Sequence, residues 1–377
     1  MREAVAQGAS VYLLTVAKLL QRPWPRDVLV DVYAMRDGAD IPETTRTVSY
    51  LARSVPFDRI VALDDFDVET AASLREHLRI PGMGDTTARH FRDKLAMRVK
   101  AREAGILIPD FVHVLNYDAV RDFMRRVPAP WMNKPRSEAS AAGITKVQSD
   151  EQLWKLVEKQ GDRQSFFLLE EYVPGDVFHV DSIVSERQVL FSEAHKCGAP
   201  PFDVAHGGGV FSTSTLVRGS REEAELVALN ARVLACMNLV RGVSHVEFIQ
   251  SKADGRFYML ECAARVGGAH IADMVEAATG INLWAEWAKI EVGAQPYVLP
   301  AQRKEYGGLI VTLGREERPD TSAFDAPEVV FRSTERNHIG LVLRSTSHAR
   351  VGELLKEYLE RVRPMVGSMP ALEKPLN

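Results

Sequence analysis

The chain has 377 residues, 46% hydrophobic and 26% charged, with a formal net charge of −4. Its length predicts a multidomain globular protein, and its mild negative charge gives no electrostatic basis for binding nucleic acid. No apolar run approaches a bilayer span, and three cysteines without metal-ligand spacing predict reduced thiols, so a cytoplasmic protein with no membrane segment is expected.

A short helical stretch at 2–8 precedes a strand at 11–16. Since α/β domains of this kind usually begin with a strand, a missing opening strand is left open. The runs VYLLTV, DVLVDVYAM and RIVALDD (59–65), with a helical stretch at 44–54, predict a small open α/β domain over residues 1–84. Asp64, Asp65 and Asp67 cluster at the end of the third run, where open α/β sheets bind ligands, and Asp67 is read as the cap of the next helix. The breaker IPGMG (80–84) marks a boundary, and a helix at 86–104 follows. Lys94 lies on a strongly charged part of that helix, where it reads by itself as a solvated lysine.

A strand at 111–115 and a helix at 118–126 lead to a short strand ending at Lys134. The small-residue loop after it, 137–143, can fold backbone N–H groups around an anion beside the lysine charge. A helix at 150–160 precedes SFFLLEEYVPG (165–175), a buried-type strand ending in Glu170 and Glu171. In the strands at 178–184 and 188–193, alternation turns some of the polar residues around His179 and Asp181 inward, where they need partners. The stretch 199–211, with His206 before three glycines, reads as a lid or substrate loop or as a linker.

An amphipathic helix at 221–237 delivers the chain into residues 242–270. There two apolar runs, 243–250 and 256–263, flank the turn Lys252-Ala253-Asp254-Gly255 and predict a hairpin. Alternation places His245, Glu247 and Ile249 on one side of the first strand, and Phe257, Met259 and Glu261 on one side of the second. Glu247 and Glu261 either share a cavity, where two unpaired carboxylates need a cation such as Mg²⁺, or face solvent. Arg265 and Val266-Gly267-Gly268 would add a fixed cation and bare amides, or the glycines serve only a tight turn. Helices at 271–279 and 282–291, strands at 308–313, 329–332 and 339–345, and a helix at 349–362 with a core-packing apolar stripe complete the chain.

Four motifs in order resemble the ATP-grasp superfamily of carboxylate-amine ligases, over about residues 56 to 293. They are Asp93-Lys94 opening a helix that ends Glu-Ala-Gly-Ile; Asn-Lys134-Pro with its small-residue loop; Leu-Glu-Glu-Tyr-Val-Pro-Gly; and His-Val-Glu247 with Leu-Glu261 and Arg265. The resemblance implies an α/β and α+β multidomain chain with the ATP-grasp fold. Its parts would be an N-terminal open α/β domain (1–84), an ATP-grasp domain (85–295, with lobes 85–172 and 173–295) and a small C-terminal α+β lobe (296–377).

By the same resemblance Lys94 and Lys134 would grip the ATP phosphates, and the backbone of Glu170, Glu171, Tyr172 and Val173 would read adenine. His179 would take the ribose, Glu247 and Glu261 would hold Mg²⁺, with Mn²⁺ as an alternative, and Arg265 would stabilise the transferring phosphate, making Arg265 and Lys134 the catalytic pair. Arg265, Gly267, Gly268 and His206 would meet the substrate. Ala263 stands where many members carry an asparagine, and Val177 where a ribose-binding glutamate is common. The run from Arg265 to His270 is most similar to the amino acid ligase branch, which makes dipeptides or related amides in secondary metabolism. The expected activity joins a small-molecule carboxylate, as its acyl phosphate, to an amine, with a homodimer as the commonest assembly. Bicarbonate activation and an ATP-binding protein without catalysis are the alternatives.

Overall fold

The structure, a computed structural model, describes residues 1–139 and 141–367. Ser140, in the small-residue loop, and residues 368–377 of the C-terminal segment lie outside the described residues.

Helix α1 (Arg2–Ala6) and the parallel strands β1 (Tyr12–Val16) and β2 (Asp31–Met35) open the chain. Helix α2 (Ile41–Leu51) starts at Asp40, whose carboxylate accepts from the Glu43 N–H at 2.8 Å, and α3 (Val68–Leu78) follows. The third strand expected at 59–65 does not form; that segment runs as irregular chain into the turn at Asp64–Asp67. Its apolar residues find partners without a ladder, since Ile60 and Ala62 pack with Val68, Ala71 and Ala72.

The helix expected at 86–104 is two helices, α4 (Asp85–Arg89) and α5 (Lys94–Glu103). Asp93 causes the break: its carboxylate caps the Leu95 and Ala96 N–H groups, which fixes Lys94 as the first residue of α5. A four-stranded antiparallel sheet follows, built from β3 (Phe111–His113), β4 (Trp131–Pro135), β5 (Thr145–Val147) and β6 (Phe167–Glu171) in the order β3-β6-β4-β5. Helices α6 (Tyr117–Arg126) and α7 (Asp150–Gln160) supply Val120, Phe123, Leu153 and Val157 to its core.

The larger sheet has eight strands. It is built from β7 (Gly175–Ser185), β8 (Gln188–Cys197), β9 (Phe211–Thr215), β10 (Gly242–Ser251), β11 (Phe257–Ala263), β12 (Tyr306–Leu313), β13 (Val329–Arg332) and β14 (His338–Ser345). Their order is β11-β10-β7-β8-β9-β12-β14-β13. The strands of the segment 296–377, expected as a separate lobe, continue this sheet through the pairing of β12 with β9. Helix α8 (Pro201–Gly207) occupies the stretch expected as a loop at 199–211. One sheet face packs on α5 and α9 (Arg221–Met237); the other packs on α10 (Ile271–Thr279) and α11 (Leu283–Val292). Helix α12 (His348–Val362) buries Val351, Leu354, Leu355, Tyr358 and Val362 against β12 and β14, as its apolar stripe predicts. No helix among the described residues is long and apolar enough to cross a membrane.

Candidate active site

Glu247 and Glu261 are register partners on β10 and β11, and an irregularity brings them together. The pairing steps from Glu247–Glu261 to Phe248–Met259, so Leu260 is the extra residue of a β-bulge. Phe257 and Met259 join Phe248 in the core, while Glu261 turns to the opposite face with Glu247. The expected sharing of one side by Phe257, Met259 and Glu261 is therefore corrected: the bulge inverts the alternation. It also frees the Leu260 carbonyl, which accepts from Arg98 Nη2 at 2.6 Å.

Three cations converge from distant parts of the chain. Lys94, only 4% exposed, places Nζ 2.9 Å from Glu261 Oε1 and 2.7 Å from the Glu138 carbonyl, so it is no solvated lysine. Arg265 sits on the turn after β11 and donates to Asp65 from Nε at 2.6 Å, with Nη2 also at 2.6 Å. Burial disfavours the guanidinium charge, but Asp65, Glu261 and Glu247 outweigh it and raise the Arg265 pKa. Asp65 was legible only as one of three clustered acids; the ion pair picks it out.

Lys134 does not stand free to meet a ligand. Its ammonium is paired with Glu170, which also accepts from Arg98, and both Glu170 and Arg98 are wholly buried. Burial raises a carboxyl pKa, yet the two cations hold Glu170 below its usual range. Arg98 was missed in the sequence because a mid-helix arginine in a charged stretch reads as solvent-facing. In the structure it ties α5 to β6 through Glu170 and to β11 through Leu260.

The adjoining segment holds Glu171, whose carboxylate accepts from the Asp110 N–H at 3.2 Å, and Tyr172, with the Lys146 ammonium 3.5 Å from its ring centroid. Val173 packs with Val177, Cys197 and Ile249. His179, expected at a ribose, is corrected: it is 1% exposed, its Nδ1 donates to Asp181 at 2.7 Å, and its Nε2 meets the Thr213 hydroxyl at 2.8 Å. No ring nitrogen remains for a sugar. Asp181 also accepts from His245 Nδ1 at 2.9 Å; burial works against the His245 charge, but Asp181 and Glu247 raise the His245 pKa to about 9. Ala263 lies opposite His245 in the ladder.

His206 is exposed on α8, its ring nitrogens facing the carbonyls of Phe202 and Ile144, so it reaches the end of the small-residue loop rather than the acid pair. Gly268 is exposed with open space at its Cβ position, and Ala269 and His270 after it both take positive φ, 52° and 64°, to swing the chain into α10. Gly267 is required for space: a Cβ there would stand 2.8 Å from Asp181 Oδ1 and 3.1 Å from His245 Nδ1. Gly267→Ala is accordingly expected to lose about 1–3 kcal/mol of stability in urea unfolding.

A family model described as an ATP-grasp domain matches residues 127–273. The L-arginine-specific L-amino acid ligase of Bacillus subtilis is 25% identical over 272 residues, covering 70% of this chain and 65% of that protein. A D-alanine–D-alanine ligase of Actinobacillus pleuropneumoniae is 28% identical over 204 residues, covering 49% of this chain and 62% of its own length. The chain thus spans somewhat under two thirds of these curated relatives. Among solved structures, an L-amino acid ligase from Bacillus licheniformis superposes with a TM-score of 0.76 at 18% identity, covering 96% of this chain and 93% of that one. Residues 127–273 thus match an ATP-grasp domain, and the chain as a whole shares the fold of that ligase structure.

Proposed function

We propose that the protein is an ATP-dependent carboxylate-amine ligase acting on an amino acid. The observation that carries this reading is the convergence of Glu247, Glu261, Lys94 and Arg265, from three separate stretches, on one place beside the buried Arg98–Glu170–Lys134 link. Phosphoryl transfer needs positioning and charge neutralisation, and this set supplies both. The likeness to L-amino acid and D-alanine–D-alanine ligases supports an amino acid as the acid component.

The two carboxylates offer hard oxygen donors on one sheet face and fit Mg²⁺; bound there, it would neutralise charge on the phosphates. Val173, Val177 and Ile249 offer the adenine an apolar bed at the hinge end of the face that carries Glu247. Lys94 contacts the phosphates, while Lys134 stays paired with the buried Glu170 beside them. A substrate carboxylate oxygen attacks the γ-phosphorus; an O–P bond forms, the bond to the bridging oxygen breaks, and ADP leaves. Arg265 neutralises charge on the moving phosphoryl group, and the amides of Gly267 and Gly268, just ahead of α10, face the acyl phosphate. The amine nitrogen then attacks the acyl carbon and loses a proton, the C–O bond breaks, and phosphate departs. His206, bridging α8 to Ile144, helps keep water from the acyl phosphate.

ADP release across a matrix of amino acids, with mass detection of products, tests the reading: ADP and an amide should appear together for particular pairs. ADP formed only with bicarbonate would move the protein to the carboxylase-like class, and ATP binding with no ADP on any acid would make it a binding protein. Glu261→Gln should raise the Mg²⁺ concentration needed for half-maximal rate by roughly tenfold or more; an unchanged requirement removes Glu261 from the metal site.

A further inference from the structure

Behind the acid pair the same sheet face carries polar residues that the ligase reading does not use. The ladder sets His179 opposite His195 on β8 and Glu247 on β10, and sets Asp181 opposite Glu193 and His245. Alternation puts all of them on one face of three adjacent strands. His179, Asp181, His195 and His245 are 1%, 0%, 0% and 7% exposed. Imidazoles so deeply buried need partners for both ring nitrogens.

His195 has none: its Nδ1 and Nε2 are both buried without a hydrogen bond, and Nε2 stands 3.8 Å from Asp181 Oδ2. The same Asp181 carboxylate receives His179 Nδ1 at 2.7 Å and His245 Nδ1 at 2.9 Å. One ligand atom each from His179, Asp181 and His245 lies within 4.8 Å of the others. The rings crowd a common centre, with His179 centroids 4.6 Å from His195 and 5.0 Å from His245.

The outer partners match those of metal-bound histidines. A ligating imidazole usually presents its far nitrogen to a carboxylate or another acceptor, which fixes the ring. Here His179 Nε2 meets Thr213 Oγ1, whose hydroxyl donates onward to the Lys196 carbonyl at 3.1 Å, and His245 Nε2 faces Glu247 Oε1 at 3.6 Å. The close backbone of Gly267 roofs Asp181 and His245.

From this we infer a second, transition-metal site in which His179, Asp181, His195 and His245 bind one Zn²⁺-like ion, distinct from the oxygen-only acid pair. Three imidazoles and a carboxylate select a borderline ion such as Zn²⁺ or Co²⁺ over Mg²⁺. Binding shifts the His179 Nδ1 proton to Nε2, where it donates to Thr213 Oγ1, and displaces the His245 Nδ1 proton to solvent. His195 gains the partner it lacks, and the ion sets Glu247 from behind through His245.

The test uses the full-length protein, stripped with chelator and held in excess Mg²⁺ so that the acid pair is not left open. Titration with Zn²⁺ should show one ion per chain, and Co²⁺ should give visible bands of a tetrahedral N/O site. His195→Gln should weaken Zn²⁺ binding by more than roughly 100-fold and remove the bands, and Thr213→Val should weaken it by about 10–100-fold. Glu261→Gln, which disables the acid pair, should keep both signals. Absence of a stoichiometric ion and of Co²⁺ bands in the wild-type protein overturns the inference, a result that needs no variant to fold and that leaves the ligase assay unaffected. Signals surviving in His195→Gln but lost in Glu261→Gln would place the ion at the acid pair and overturn it equally.

Discussion

Arg265→Ala is expected to lower the rate of ADP formation by about 10³-fold or more, with nucleotide binding largely kept. On the proposed function the side chain meets the charge that develops on a moving phosphoryl group, since it follows β11, is largely buried, and feels Glu247 and Glu261. Its guanidinium is held by Asp65, which is 6% exposed and would be left unpaired by the substitution, so some loss of stability comes with it. Asp65→Asn combined with Arg265→Ala separates the two effects. If the double variant regains wild-type unfolding but stays slow, the rate loss belongs to the arginine. Arg265→Lys should stay well below wild type, because an ammonium lacks the planar fork. Wild-type turnover in Arg265→Ala would remove the residue from the mechanism.

Arg98→Met is expected to destabilise the fold by about 3–5 kcal/mol, read as a shift in the urea midpoint. Arg98 and Glu170 are both 0% exposed, and removing the arginine leaves a buried carboxylate with Lys134 alone. The Leu260 carbonyl, freed by the bulge, loses its donor at the same time. Adding Glu170→Leu should recover much of the loss, since an apolar replacement of a buried pair is often close to neutral. A midpoint unchanged in Arg98→Met would mean that the three elements meeting there are held by packing alone.

Local chemistry was legible where short-range rules decide the structure. The stripe on α12 and the strands at 329–332 and 339–345 stand within a residue of their expected bounds. Asp93 was legible as part of a motif, although its capping, which splits the predicted helix at 86–104, was not drawn from it. Order of motifs carried the resemblance to ATP-grasp ligases, which the domain match over 127–273 shares, because four weak signals at compatible separations constrain one another. What the sequence hid is long-range. Residues 59–65 have strand composition, but packing on α3 satisfies them without a ladder. A bulge has no periodic signature, so the meeting of Glu247 with Glu261 was reached by an alternation that Leu260 breaks. The pairing of β12 with β9 decides that residues 296–367 extend the large sheet, and no local pattern encodes it.

The ammonium of Lys94 is claimed from two sides, by the Glu138 carbonyl on the small-residue loop and by the Glu261 carboxylate on β11. A cation taking Glu261 competes with Lys94 for it, and a displaced Lys94 no longer anchors the loop through a charge-balanced contact. Loop position and cation affinity are therefore thermodynamically linked, and linkage is reciprocal: the factor by which loop fastening changes cation affinity equals the factor by which the cation changes loop fastening. On the proposed function, incoming phosphates would restore the balance by offering Lys94 new negative charge. On the proposed function, one side chain would then read metal and nucleotide as a joint signal.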